Sequence, residues 1–353
     1  MINDIHLQNF RSYRDATFEF SDGVNIIVGP NASGKTNLLE ALLMLAAGRS
    51  YRGRDRDLIR LGAESARAEA HTGDGLARIM HLQTIAGGPR PVKQFKIKDQ
   101  TLNRLGSASR LPVVVFEPND LRLLAGAPDK RRQYLDDLNE QTVAGFSTTR
   151  RQYWRALMQR NALLKNSHKN NQSQLFVWNL RLSELGEQLA GARHKLTREI
   201  NQKISLVYQS LASRDDQIKA RYNPALPLDN YASAMIHQLE INQDLDRLRG
   251  FTCTGPQRED WQILINGRPS GETASRGESR SIILALKIIE LQIISQAHNL
   301  TPLLLLDDVF SELDGARRQA LTKQLKPYQT FITTTDADVV LKHFTDQANI
   351  IPL

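Results

Sequence analysis

The stretch IIVGPNASGKTNLLEALLML, Ile26 to Leu45, decides the fold. On its left, VNIIV (Val24–Val28) is a short apolar run that reads as a buried strand. On its right, KTNLLEALLMLAA is rich in Leu and Ala without a breaker, which predicts a helix ending near Gly48. Between them Gly29 to Thr36 spell G-x-x-x-x-G-K-T, in the strand–turn–helix setting that this pattern needs to bind phosphate. Glycines let the backbone wrap an anion, and successive N–H groups at a helix N-terminus aim at its oxygens. Gly29, Pro30, Asn31, Ala32, Ser33 and Gly34 are therefore candidates for a phosphate cradle. Lys35 would reach terminal phosphates and the Thr36 hydroxyl would hold magnesium. The bland alternative is a glycine-rich turn closing a strand. The cradle alone names no function.

A second motif lies far downstream. TPLLLLDDVFSELD places four leucines directly before Asp307 and Asp308. A continuous apolar run suits a strand buried on both faces of a parallel sheet, with ligands bound beyond its C-terminal end. There Asp307 can help hold hydrated magnesium and Asp308 can polarise an attacking water. A capped strand followed by a solvated acidic turn is the competing reading.

Between the two motifs stands ETASRGESRSIILALKIIEL. Ser275 is an N-cap candidate for the apolar helix, and Glu278 has capping-box spacing from it. Capping alone would account for both. The functional alternative is that Ser275 and Gly277 bring this helix N-terminus to a phosphate belonging to another subunit.

The rest of the chain changes texture twice. INDIHLQNF, ATFEF, Arg67–Ile85, Lys93–Lys98 and LPVVVF read as strands. From about Asp129 to Leu248 proline vanishes until Pro224, and apolar residues recur at helical spacing, with KNSHKNNQSQ (Lys165–Gln174) as the polar tip of a helical hairpin. These textures predict a discontinuous lobe, 1–124 and 249–353, interrupted by a helical insert, 125–248.

Composition narrows the function classes. The 353 residues hold one cysteine, Cys253, which excludes an intrachain disulfide and any metal site built on several thiolates. No apolar run of membrane length and no signal-like start is present, so a cytoplasmic protein without a membrane partner is expected. The formal charge of +8 leans toward polyanions. From Phe146 to Ile200 ten Lys/Arg (Arg150, Arg151, Arg155, Arg160, Lys165, Lys169, Arg181, Arg193, Lys195, Arg198) face three acids, which fits either a solvated helix face or a phosphate-facing one. The acids Asp244, Asp246, Glu259 and Asp260 are scattered and read as surface or structural. Trp154 and Trp178 read as packing residues rather than base stackers.

With NFRSY, GPNASGKTNLLEA, VVVFEPNDLRLLAGAPDKRRQYLD, GPQRED, ASRGESR and LLLLDDVFSELD in this order, the chain resembles the RecF family, bacterial recombinational-repair ATPases related to SMC proteins. The likeness runs nearly end to end, and the third segment is the most specific to that family. Arg276, Glu278 and Ser279 depart from the usual S-Q-G-Q-Q signature, and GPQRED departs from a G-P-H-R-D-D-like pattern.

The resemblance implies an α/β fold, a P-loop NTPase of ABC/SMC-head type with an inserted α-helical domain. It implies that the cradle, Lys35 and Thr36 hold ATP, that Arg11 approaches the nucleotide, that Asp307 and Thr36 hold Mg2+, and that Asp308 is the catalytic carboxylate. It further implies an ATP-dependent homodimer in which Ser275 and Gly277 of one copy cap the γ-phosphate on the other. The implied partners are double-stranded DNA at single-strand gaps, bound without base specificity, and RecR and RecO, with RecA loading as the outcome and slow hydrolysis as the reset. An assembly platform on DNA, with hydrolysis secondary, stays open beside this. A transporter subunit is disfavoured, because Thr333–Thr335 stand where such ATPases carry a histidine. An SMC head is disfavoured because no sustained heptads separate Thr36 from Ser275.

Overall fold

The computed structural model describes residues 1–85, 88, 90–165, 172–212, 214–336, 340, 342 and 348–353. The chain divides into two compact units, one formed by Met1–Asp120 with Glu290–Leu353, the other by Leu121–Ile289. Residues 249–289 thus group with the second unit, where sequence texture assigned them to the discontinuous lobe.

The first unit holds two sheets. β1 (Ile2–Phe10), β2 (Tyr13–Glu19), β4 (Ser65–Thr72), β5 (Ala77–Gln83), β6 (Val92–Ile97) and β7 (Gln100–Leu102) form one, in the order β2-β1-β4-β5-β6-β7 with antiparallel pairing throughout. The other is a parallel sheet of β3 (Val24–Val28), β8 (Val113–Phe116), β12 (Leu303–Asp307), β13 (Thr330–Thr334) and β14 (Ala348–Pro352), in the order β14-β3-β13-β12-β8. β12 is buried at every position and lies between two neighbours, as its run of leucines requires.

Helix α1 (Lys35–Ala47) is apolar on nearly every side and belongs to the same core as residues of both sheets, among them Ile5, Ala68, Met80, Leu305 and Phe331. A helix without a polar face must be buried all round. Each of its wholly buried leucines, Leu38, Leu39 and Leu42, contributes roughly 1.5–3 kcal/mol. It stops where the sequence predicts: Gly48 takes a left-handed conformation (φ 74°) and donates to the Met44 carbonyl at 2.9 Å.

The second unit is mainly helical. It contains α2 (Arg122–Ala125), α3 (Pro128–Thr142), α4 (Phe146–Lys165), α5 (Gln172–Ala212), α6 (Tyr231–Ile241), α7 (Gln243–Arg249) and α8 (Ser270–Thr273). It also contains a three-stranded sheet of β9 (Ile218–Asn223), β10 (Asp260–Ile265) and β11 (Arg268–Pro269), of which β9 lies inside the stretch that texture assigned to helices. The boundary between units falls within α9 (Arg276–His298). α9 is long and apolar enough to cross a membrane by length and composition, but 72% of its most apolar window is buried. α10 (Gly315–Leu325) completes the helices named here. The hairpin tip expected at 165–174 lies for the most part, 166–171, outside the described residues.

The basic excess of residues 146–200 is partly internal. Arg160 and Arg193 are buried in ion pairs with Asp246 and Asp136, Arg150 pairs with Asp137 and Glu140, and Arg181 with Glu184. Asp246 is accordingly structural, as is Glu259, which is buried and accepts from the Tyr222 and Tyr231 hydroxyls and the Ala225 N–H. Trp178 is half-buried, whereas Trp154 stands 44% exposed with its ring edge-on to Tyr153, so packing accounts for it only in part.

Candidate functional site

The C-terminal ends of β3, β13 and β12 lie side by side, with Val28 opposite Thr334 and Thr333 opposite Asp307. The loop after β3 is the glycine-rich cradle. Gly29 donates to the Thr334 carbonyl at 3.4 Å, and a Cβ on Gly29 would meet the Ser33 hydroxyl and the Leu353 carbonyl within 2.9 Å. Ala32 (φ 66°) and Gly34 (φ 110°) are left-handed, which curls the loop onto the N-terminus of α1. Gly34 is required there twice over. Its φ suits glycine, and a Cβ would come 2.9 Å from the Tyr13 hydroxyl, which donates to the Gly34 carbonyl at 3.1 Å. Burial pushes that phenol up to about 12, so it remains a donor at neutral pH. Pro30, Asn31 and Ala32 are exposed.

Lys35 is buried and folds back over the loop, donating from Nζ to the carbonyls of Gly29 (2.7 Å) and Pro30 (2.8 Å). Thr36 donates from Oγ1 to Asp307 Oδ1 at 2.9 Å, joining two motifs 271 positions apart. The same oxygen accepts from Thr333 Oγ1 at 3.0 Å, and Asp307 Oδ2 accepts from the Tyr51 hydroxyl at 3.2 Å. Burial, then the Asp307 charge, drives the Tyr51 phenol far above its ordinary range and fixes it as a donor. Asp308 turns away. It is left-handed (φ 54°), its N–H donates to Thr333 Oγ1 at 2.9 Å, and its carboxylate accepts from Ser311 at 2.8 Å. A non-glycine residue there costs about 1–3 kcal/mol, strain of the kind found at functional sites. It sends two consecutive carboxylates in different directions.

The donor set fits a magnesium–triphosphate. Thr36 and Asp307 offer the hard oxygen ligands that magnesium takes. The Ser33 hydroxyl is buried and has no hydrogen-bond partner among the described residues, on the loop that would wrap the phosphates. Arg11, also left-handed (φ 51°), is engaged elsewhere: its Nε and Nη2 donate to Glu40 of α1 at 2.8 and 2.9 Å. It therefore braces the helix behind Lys35 rather than turning to the loop.

Ser275 and Gly277 belong to the second unit. The Ser275 N–H donates to Glu278 Oε2 at 2.8 Å and the Glu278 N–H donates to Ser275 Oγ at 3.3 Å, the reciprocal box that the spacing predicted. Arg214 holds the other Glu278 oxygen at 2.6 Å. Ser275 itself stays exposed at the helix start.

The family model described as the RecF/RecN/SMC N terminal domain matches residues 1–350. The DNA replication and repair protein RecF of Heliobacterium modesticaldum is 36% identical over 345 residues, covering 95% of this chain and 92% of the relative. That of Ruminiclostridium cellulolyticum is 32% identical over 350 residues, covering 96% and 93%.

The chain belongs to the RecF family.

A solved structure of the recombination mediator protein RecF with ATP, in the RecFOR pathway, superposes on this RecF-family chain with a TM-score of 0.85 at 30% identity, covering 95% of this chain and 92% of that one. The Smc head domain of Pyrococcus yayanosii shares the fold alone, with a TM-score of 0.57 at 14% identity over 99% and 94% of the two chains. The architecture is that of an ABC/SMC-type P-loop head with a helical insertion. Two residues that contribute to the site escaped the sequence reading. Tyr51 lies in an irregular segment with no motif, and Thr333 is one threonine among several on a buried strand; only the fold brings them to Asp307.

Proposed function

We propose that this chain is an ATP-dependent DNA-binding repair ATPase of RecF type. The observation that carries the reading is the Thr36–Asp307 hydrogen bond, because it joins the cradle to the acidic strand end at the mouth of a parallel sheet. The ATP complex of the similar mediator supports the choice of nucleotide.

In this reading the N–H groups of Gly29 to Lys35 receive the phosphates, and Lys35 exchanges loop carbonyls for phosphate oxygens. Magnesium held by Thr36 and Asp307 supplies positive charge against the phosphates. Asp308 accepts the proton of the attacking water, with Ser311 and the Thr333-bound backbone keeping its carboxylate aimed. Arg11 acts through Glu40 to hold α1.

Ser275, which is exposed, and Gly277 of one copy cap the γ-phosphate in the other, so that ATP joins two copies and slow hydrolysis separates them. The joined pair clamps double-stranded DNA near single-strand gaps, without reading base sequence, and assists RecR and RecO in loading RecA. The site of action is the cytoplasm. Sedimentation with ATP, with ADP and without nucleotide, each with and without a short duplex, tests this. A dimer only with ATP is expected; a monomer under all six conditions would overturn the mechanism.

A further inference from the structure

Between α1 and β4 the chain reads RSYRGRDRDLIR, Arg49 to Arg60, with five arginines against two aspartates. Its one regular element is a single helical turn, Asp55–Leu58. Both aspartates are already committed: Asp55 pairs with Lys93 at 3.0 Å, and Asp57 accepts the Arg54 N–H at 2.9 Å. The side chains of Arg52, Arg56 and Arg60 are exposed and form no ion pair among the described residues.

Both ends of this stretch are pinned. Ser50 donates from Oγ to Glu40 at 2.5 Å while accepting the N–H groups of Arg52 and Gly53, and Tyr51 donates to Asp307. At the far end Leu58 accepts the Arg11 N–H at 2.8 Å, and Arg60 donates its N–H to the Asn9 carbonyl at 2.8 Å. In the middle the Arg11 guanidinium lies directly beneath the chain, since a Cβ on Gly53 would come 3.1 Å from its Nη2. The result is a short strap that holds its arginines outward. One of its pins ends on a carboxylate of the nucleotide site.

We propose that the strap from Arg52 to Arg60 contacts the phosphate backbone of duplex DNA, and that the nucleotide site controls how it is presented through the Tyr51–Asp307 hydrogen bond. The inference rests on the reading of the chain as a DNA-binding ATPase and extends it to a named surface. Guanidinium forks match phosphate geometry. The only ring in the strap, Tyr51, points its hydroxyl inward, so the strap lacks the stacking platform a single strand would use. Control follows from a shared carboxylate. Thr36 and Thr333 donate to one Asp307 oxygen and Tyr51 to the other, so a ligand that engages Thr36 and reorients this carboxylate alters the bond that seats Tyr51, the neighbour of Arg52.

The test measures binding of a labelled 30-base-pair duplex by anisotropy across a salt series, with and without a non-hydrolysable ATP analogue and magnesium. Binding of a fluorescent ATP analogue is measured separately. Arg56→Glu/Arg60→Glu should keep nucleotide affinity within about twofold, weaken duplex binding about tenfold or more, and make the salt slope shallower by about two. Tyr51→Phe should keep duplex binding but narrow the gap between the affinities with and without nucleotide. Unaltered affinity and slope in the charge-reversed variant overturn the contact, and an unaltered nucleotide response in Tyr51→Phe overturns the control. If the unaltered protein shows no nucleotide-dependent duplex binding, the underlying ATPase reading fails instead, a result the variants cannot produce.

Discussion

The Arg160 guanidinium meets the Asp246 carboxylate at 2.7 Å with both side chains wholly buried, and its remaining donors reach Asn179, Thr252 and the Leu239 carbonyl. Asp246 also accepts the Cys253 N–H at 2.9 Å. One charge thus ties α4, α5, α6, α7 and the Phe251–Cys253 segment together. Removing one partner strands the other in a medium that does not solvate it. Arg160→Met or Asp246→Asn should each lower stability by about 3–5 kcal/mol. Urea unfolding followed by helical circular dichroism measures this, and a loss below about 1 kcal/mol would show the pair to be incidental.

Lys35 and Asp308 should fail differently. Lys35→Ala removes an ammonium whose donors serve the cradle, and is expected to lower ATP affinity by about a hundredfold or more, near 3 kcal/mol for a charge-assisted contact. Asp308→Asn removes a proton acceptor, leaves Lys35, Thr36 and Asp307 in place, and should lower turnover about a hundredfold or more with ATP still bound. Equilibrium binding and single-turnover hydrolysis separate the two effects. Equal loss of ATP affinity in both variants would contradict the roles assigned.

Much of this site was legible in the sequence because its chemistry is local. A cradle needs consecutive residues around one turn, so Gly29 to Thr36 announced themselves. So did Ser275 with Glu278, and four leucines ending in two aspartates. Tyr51, Thr333 and Glu40 were not legible, since a lone hydroxyl or carboxylate acquires its role only from a partner that the fold delivers. The same physics misdirected the reading of charge. Arg160 and Arg193 look like surface cations in a basic helical segment, yet their acids stand 86 and 57 positions away and draw them inside. Strand β9 was hidden likewise, because one short strand packed on a long helix leaves little pattern of its own within a helical stretch.

Acid should loosen the start of α9 in a defined direction. The Glu278 carboxyl is held below its ordinary value of 4.5, first by the Ser275 N–H, then by the Ser275 hydroxyl, and further by the Arg214 charge. A depressed carboxyl stabilises the folded form fully above the unfolded value, and that contribution disappears as pH falls through the folded one. The cap should therefore be intact above the ordinary glutamate range and lost only as pH falls below it. Carbon-detected titration of labelled glutamates should place Glu278 below the exposed glutamates. Ser275→Ala, which removes the hydroxyl but keeps the N–H, should return it part of the way toward them; an unchanged titration would remove the hydroxyl as a cause.

The composite pocket makes the sharpest demand on Ser275. If each triphosphate lies between the cradle of one copy and the α9 start of the other, a defect at Lys35 and a defect at Ser275 in one pocket damage the same reaction, whereas the partner pocket escapes both. Homodimers of Lys35→Ala and of Ser275→Arg should each be inactive. Their equimolar mixture should regain activity, because half the pairs are mixed and each mixed pair has one intact pocket, giving about a quarter of the unaltered rate if pairing is random and pockets act independently. The loss of the cap in Ser275→Arg cannot imitate this, since a destabilised α9 would be no better folded in a mixed pair than alone. ATP hydrolysis measured against mixing ratio should peak near equal amounts. A flat, inactive profile would show that each copy completes its own pocket or that pockets work only in concert, and preformed mixed dimers linked by a flexible tether would tell these apart, since only the first would leave a tethered pair of one unaltered and one doubly defective copy half active.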